Sequence, residues 1–485
     1  MPTKRPNVVV LICDNQRFDT LSLLHASGCQ TPTWDRIARE GILFDNLRCT
    51  SPICAPARAS LFTGLQPQQA GLPHNPSNPY IDADKTLKAA VTEITVPHMA
   101  HYFRQAGYEC IHVGKWHLGS NNYKRWFDWH GACGKDEHDY TEWCGYHGIA
   151  DGFVFHDPVR ARPFRSLHPP HMSIPHTAVL DIPEDKEHNA WIMARAFELF
   201  GLRDPQKPLF MVVSTEGPHP PFLVPEKYHE MYDPEQIPEP TNWRPAPGEP
   251  SFLATSYYRR LRNEWGADFS RWRKAKAVYW GYVTYIDSLF QRFIARLERE
   301  GLGDDTLLAM VSDHGEMMGQ HGLWQKFCPY EEALRVPWVM RWPGVIAPGS
   351  RCSVDASGVD VAATLLAAAD VDVAPLGLEG QDLLADVRSG HEPAETRDCF
   401  SQYNLAPTFD GWHGVENWRL VVRRPWKYVL HQNGEEELYN LAQDAFELEN
   451  RIADRGCRQT ADRLQACLLD WCQRTADPFL ENLPV

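Results

Sequence analysis

The run Cys54-Ala55-Pro56-Ala57-Arg58 sets a thiol four residues before a guanidinium, with a proline between them. Pro56 suits the first turn of a helix that continues towards Thr63-Gly64. Cys54 then stands at a helix N-terminus, where backbone N–H groups and the helix dipole favour an anion. Arg58 shares that helix face and adds a permanent positive charge. A lone cysteine before a helix is ordinarily a buried structural residue. Cys54 is set apart by other reactive groups. Asp14-Asn15 and Asp313-His314 each follow an apolar run. Each pair alone also reads as a turn, but together they offer two carboxylates, an amide oxygen and an imidazole, a donor set for one divalent cation. Lys115 and His117 follow a third apolar run and His219 a fourth, while Lys326 lies beyond His314. The imidazole of His219 can titrate near neutral pH, as a proton donor to a leaving group should.

The elements that position these residues share one pattern. Asn7 to Cys13, Tyr108 to Val113, Leu209 to Val213 and Thr306 to Val311 are β-rich apolar runs that end abruptly in the polar residues just named. Near-continuous apolar strands suit a parallel sheet covered on both faces, and ligands bind beyond the carboxyl ends of such strands. Helices are predicted over Thr33 to Glu40, Val96 to Gln105, Ala277 to Glu300 and Val359 to Val371. The prediction is an α/β fold: a large mixed, mostly parallel sheet flanked by helices, occupying a catalytic domain over 1–375. The stretches 121–175, rich in His, Trp, Gly and Pro, and 218–250, rich in Pro, read as long loops that wall a site. A linker over 376–393 leads to a smaller C-terminal α+β domain over 394–485. There Trp418 to Val422, Lys427 to His431 and Glu437 to Leu441 read as an antiparallel sheet. A last amphipathic helix over Ala461 to Cys472 could pack on its own domain or on a neighbour, which leaves a homo-oligomer open.

Bulk properties exclude several function classes. The 485 residues carry 63 acidic and 48 basic side chains, a net charge of -15, so nothing in bulk attracts nucleic acid or an anionic membrane. No apolar stretch approaches a membrane span, and the run Val8 to Cys13 is too short for a signal peptide. The thirteen cysteines show no paired spacing and read as reduced, so the expected location is cytoplasmic.

With Thr63-Gly64 after it, Cys54-Ala55-Pro56-Ala57-Arg58 resembles the signature of the formylglycine-dependent sulfatases of the alkaline phosphatase superfamily. Gly114-Lys115-Trp116-His117-Leu118-Gly119, Gly217-Pro218-His219, the segment Gly315 to Lys326, the run Thr31 to Phe44 and the segment Glu437 to Asn450 resemble the same family, so the similarity spans nearly the whole chain. The resemblance implies that a maturation enzyme oxidises Cys54 to formylglycine. One hydroxyl of the aldehyde hydrate then attacks sulfur, and the second expels sulfate. It implies that Lys115 and Lys326 bind sulfate oxygens, that His117 holds the formylglycine hydroxyl and that His219 protonates the leaving alcohol. It implies one cation held by Asp14, Asn15, Asp313, His314 and the modified Cys54. Most members carry Asp-Asp and Asp-Asn where this chain has Asp14-Asn15 and Asp313-His314; these pairs resemble those of choline sulfatases and phosphonate monoester hydrolases. Calcium follows from the common pattern, whereas a nitrogen ligand suits manganese better, and magnesium is a further option. His321 reads as structural.

The expected activity is sulfuric ester hydrolysis on a small-molecule or saccharide sulfate ester. A phosphonate monoester or phosphodiester hydrolase on the same scaffold is the alternative, motivated by the two metal pairs. A non-catalytic protein that binds sulfated ligands is the remaining class, although every expected catalytic position holds a competent residue.

Overall fold

The structure is a computed structural model that describes residues 5–75, 94, 96–119, 122–131, 140, 143–144, 177–180, 182–243, 250–254, 269–385, 397–404 and 417–484. The four apolar runs become β1 (Asn7–Cys13), β3 (Glu109–Gly114), β6 (Leu209–Ser214) and β8 (Thr306–Ser312), with β2 (Ile42–Arg48), β4 (Trp129–Gly131), β9 (Trp338–Arg341) and β10 (Ser350–Ser357) completing one eight-stranded sheet. Its order is β10-β2-β9-β8-β1-β6-β3-β4. Strand β1 is parallel to β6 and β8, with Val10 facing Val212 on one side and Ala309 on the other. Only β9 runs antiparallel to its neighbours. Thr177–Val179 (β5) and Phe222–Val224 (β7) form a separate parallel pair.

Residues of β1 alternate between two cores. Val9, Leu11 and Cys13 face the long helix Phe269–Arg299 and the helix His188–Gly201. Val8, Val10 and Ile12 face the helices Cys54–Thr63, Met99–Gln105 and Gly358–Ala368. Both faces are covered, which explains why the strands read as unbroken apolar runs. Each such side chain contributes about 1.5–3 kcal/mol on burial.

Several elements differ from expectation. The long helix is described from Phe269 onward, ahead of the expected Ala277, and Phe269 and Trp272 carry its buried stripe further towards the N-terminus. The unforeseen helix His188–Gly201 is capped by Glu187, whose side chain accepts the N–H groups of Asn189 and Ala190. The described part of the linker is packed rather than free: Leu383 and Leu384 are buried, and the Gly380 N–H donates to the Gly64 carbonyl. Residues 386–393 of the linker and most of 121–175 lie outside the described residues. The C-terminal sheet gains a strand, β11 (Cys399–Tyr403), ahead of β12 (Trp418–Arg423), β13 (Trp426–His431) and β14 (Glu436–Asn440), all antiparallel. The helix Arg458–Arg474 packs on its own sheet through Leu464, Leu468 and Trp471, and Trp471 stacks on Phe400. No helix among the described residues is long and apolar enough to cross a membrane.

The two sheets are joined by buried charge. Lys427 of β13 pairs with Glu331 and with Glu447, and Glu331 also pairs with Arg48 at the end of β2. Trp418 donates its indole N–H to the Phe327 carbonyl, and Gln402 donates its backbone N–H to Thr50.

Candidate active site

Strands β8, β1, β6 and β3 are neighbours, so their carboxyl ends deliver Asp313, Asp14, Ser214 and Lys115 to one edge. Gly114 is what lets Lys115 leave β3 there. Its φ is +89°, and a Cβ would fall 1.8 Å from the Ser214 carbonyl oxygen. Only glycine permits that approach, after which the Lys115 N–H donates to the same carbonyl at 2.9 Å. Gly315 plays the same part after His314, since a Cβ would meet the Glu332 carbonyl at 2.0 Å.

Cys54 opens the helix Cys54–Thr63, which ends at Gly64 in the left-handed conformation. Cys54 Sγ lies 3.3 Å from His314 Nε2, 3.4 Å from Lys326 Nζ and 3.9 Å from Asp14 Oδ1. His117 also acts on the titration of this side chain, and the titration of His219 is acted on by it. Burial opposes a thiolate at Cys54, yet Lys326, Lys115 and His314 outweigh it and hold the thiol well below its usual range. Asp14, His314 and Lys326 therefore meet at Cys54.

Arg58 is fully buried and rigidly placed. Its Nε pairs with Asp313 Oδ2 at 2.9 Å, and its Nη1 donates to the Lys115 carbonyl and to Ser214 Oγ. Lys115 Nζ bridges Asp14 Oδ2 at 2.8 Å and Glu216 Oε2 at 2.9 Å. Burial would discharge Lys115, but Asp14 and Glu216 raise its pKa well above the ordinary value. Asp14 is opposed by burial and by Cys54, yet Lys115, His219 and His314 keep its carboxyl below the usual range. Burial and the Asp14 charge push Asp313 the other way.

Asp14, Cys54, Asp313 and His314 each offer a ligand atom, all within 4.8 Å of one another. His314 Nδ1 faces the Gly315 carbonyl, which can only accept, so Nδ1 carries the hydrogen and Nε2 is left for a metal. Asn15 Oδ1 is buried without a hydrogen-bond partner. An orphaned oxygen beside two carboxylates and an imidazole fits a divalent cation.

Three contributors were not assigned a role from sequence: Ser214, Glu216 and Glu316. Glu316 Oε2 accepts from Asn15 Nδ2 at 2.9 Å. Their signal was adjacency alone, each being a polar residue within or beside a cluster already noted. His321 lies apart from the cluster, stacked on Tyr330 at 3.8 Å, in keeping with a structural role.

Comparison with known proteins agrees with this geometry. The Sulfatase family model matches residues 6–371, and the model described as N-sulphoglucosamine sulphohydrolase, C-terminal, matches residues 319–474. An arylsulfatase of Clostridium perfringens is 25% identical over 96% of this chain and 94% of its own length. An N-acetylglucosamine-6-O-sulfatase of Bacteroides thetaiotaomicron is 26% identical over 92% of this chain and 83% of its own. The crystal structure of a phosphonate monoester hydrolase of Agrobacterium radiobacter superposes with a TM-score of 0.77 at 24% identity, covering 98% of this chain and 97% of that one. Through a family match across most of its length, with the signature cysteine at the centre of the site, this chain belongs to the sulfatases, the sulfuric ester hydrolases.

Proposed function

We propose that this sulfatase hydrolyses a small-molecule or saccharide sulfate ester using formylglycine made from Cys54 by a maturation enzyme, together with one divalent cation held by Asp14, Asn15, Asp313, His314 and the matured residue 54. The observation that carries the proposal is the convergence of Lys326, His314 and Asp14 on the side chain of Cys54. When present, the hydrated aldehyde would supply the nucleophilic oxygen and a second hydroxyl for sulfate release, and the cation would supply a Lewis acid for a sulfate oxygen.

The chain's own residues do the rest. Lys115 and Lys326 place positive charge where the sulfate oxygens gain negative charge, inside a buried site where such charges act strongly. Arg58, locked by Asp313 and Ser214, fixes the positive end of that field. His117 orients the reacting side chain of residue 54. His219 Nδ1 faces the Pro220 carbonyl at 2.6 Å, so Nδ1 carries the hydrogen and Nε2 is the nitrogen that serves the leaving oxygen. To act as the acid at Nε2 the ring must bind a second proton; burial and Lys326 lower its pKa, so this imidazolium is less populated but a stronger proton donor.

The N-acetylglucosamine-6-O-sulfatase relative supports a sulfated saccharide among the candidates. A cytoplasmic location remains part of the proposal, since the twelve cysteines among the described residues are free and eleven of these are buried.

The phosphonate monoester reading keeps one specific support: the Asn15 and His314 partners in the donor set. The fold does not separate the two chemistries, because the phosphonate monoester hydrolase shares it. Kinetics on an aryl sulfate and an aryl phosphonate monoester, measured side by side on matured enzyme, decide the question. Faster sulfate turnover is expected, and faster phosphonate turnover overturns the proposal.

A further inference from the structure

An amide ligand has two ends, and only its oxygen can bind a cation. Asn15 is unusually constrained in this respect. Its φ is +73°, its N–H donates to Asp313 Oδ1 at 3.1 Å, and its carbonyl accepts the Tyr279 hydroxyl at 2.9 Å. Its side-chain Nδ2 donates to Glu316 Oε2 at 2.9 Å, which leaves Oδ1 buried and without a hydrogen-bond partner. Glu316 is itself fully buried, and its other oxygen accepts the Met318 N–H at 3.4 Å. A carboxylate has nothing to donate, so only the NH₂ end of Asn15 can face it. Turning the amide over would set Oδ1 against Oε2.

We propose that Glu316 is a positioning residue for the divalent cation, holding Asn15 so that Oδ1 and not Nδ2 is offered beside Asp14, Asp313 and His314. This rests on the metal-dependent reading above and extends it to a residue that does not itself bind the ion. It also accounts for the missing carboxylate at position 15. A carboxyl group stands one layer back, on Glu316, and acts on the ion through an oriented amide. The carboxyl group and the amide should therefore be exchangeable. Asn15→Asp combined with Glu316→Gln puts an acid in the inner place and a donor behind it.

The test is calorimetric titration of manganese alone, and of calcium alone, into metal-free wild type, Glu316→Gln, Asn15→Asp and the double variant, with thermal unfolding of each metal-free form. Glu316→Gln should weaken binding by about 10–100-fold, because a glutamine lets the Asn15 amide turn either way. Asn15→Asp alone sets two carboxyl groups together and should unfold at lower temperature than wild type. The double variant should regain both the unfolding temperature and the affinity. Wild-type binding that Glu316→Gln leaves unchanged overturns the inference alone. So does a double variant that binds no better than Glu316→Gln. Should Glu316→Gln fail to fold, the double variant carries the test, and a folded double variant without affinity is fatal. Folded wild type that takes up neither metal overturns the metal-dependent reading, and the inference with it.

Discussion

Lys326 Nζ stands 3.4 Å from Cys54 Sγ, although 272 residues separate the two in sequence. The lysine is 1% exposed, so its charge is spent on this centre rather than on solvent. Lys326→Met should lower kcat/KM for an aryl sulfate by about 100–1000-fold, the usual cost of losing one preorganised donor to developing charge. Steady-state kinetics check this, and a loss below about tenfold would remove Lys326 from the machinery. Cys54→Ala should abolish turnover while the fold persists by circular dichroism.

Maturation is testable on the same residue. Mass spectrometry of the peptide carrying Cys54, taken from active enzyme, should show the aldehyde or its hydrate. Thiol alone in fully active protein would refute the formylglycine proposal, because a thiol has no second hydroxyl with which to release sulfate.

His219→Ala should reduce hydrolysis of a poor alkyl leaving group by about 100–10,000-fold and spare a good aryl one, since only the former needs a proton. A series of sulfate esters graded by leaving-group pKa reads this directly. Equal losses across the series would count against His219 as the acid.

Metal binding should depend on pH through His314. Burial lowers the pKa of this imidazole, but Asp313 and Cys54 raise it more, so the net shift is upward. Below that pKa a proton occupies the site nitrogen and competes with the cation; above it the nitrogen is free. Affinity should therefore climb as pH rises through the raised value, with a proton released on binding. Calorimetry in buffers of differing ionisation enthalpy measures that release, and a flat pH profile would contradict it. Removing the metal with a chelator should lower the unfolding temperature, and cation at about 100 times its Kd should restore about 2.7 kcal/mol.

Lys427→Ala should destabilise the protein by about 3–5 kcal/mol, because it removes the cation from buried Glu447, while Glu331 keeps Arg48. Glu331 adjoins Glu332 and Ala333, whose carbonyls accept the N–H groups of Glu316 and Gly315. The same variant should thus weaken metal binding from a position in the C-terminal sheet. Denaturant unfolding and metal titration read the two effects separately.

Sequence revealed the centre better than its supports. The strands β1, β3, β6 and β8 are buried on both faces, so their unbroken apolar runs mark both their positions and the polar residues at their ends. Strand β9 spans only four residues and β10 mixes buried with exposed positions, so neither carries a clean pattern. The Glu187 cap and the apolar positions of His188–Gly201 did carry a helix signal, obscured by the adjoining aromatic-rich loop. Glu216 and Glu316 act through their spatial neighbours Lys115 and Asn15, and no spacing rule encodes a contact between residues so far apart in the chain.

The reversed direction of β9 has a topological consequence. Trp338, where β9 begins, is the register partner of Val311 near the end of β8. The chain from Asp313 to Pro337 thus leaves and re-enters the sheet at the same rim, with its feet one strand spacing apart, about 5 Å. Asp313, His314, Glu316 and Lys326 all ride on this single arch. A parallel successor would have forced the chain back across the sheet and broken the arch with a crossover. The part of the arch beyond Lys326 is pinned as well, since the carbonyls of Glu332 and Ala333 hold the N–H groups of Glu316 and Gly315, so an insertion there would disturb the foot that carries Asp313 and His314. The fold thereby places these site residues and the Glu331 link to the C-terminal sheet on one continuous, largely buried stretch of chain.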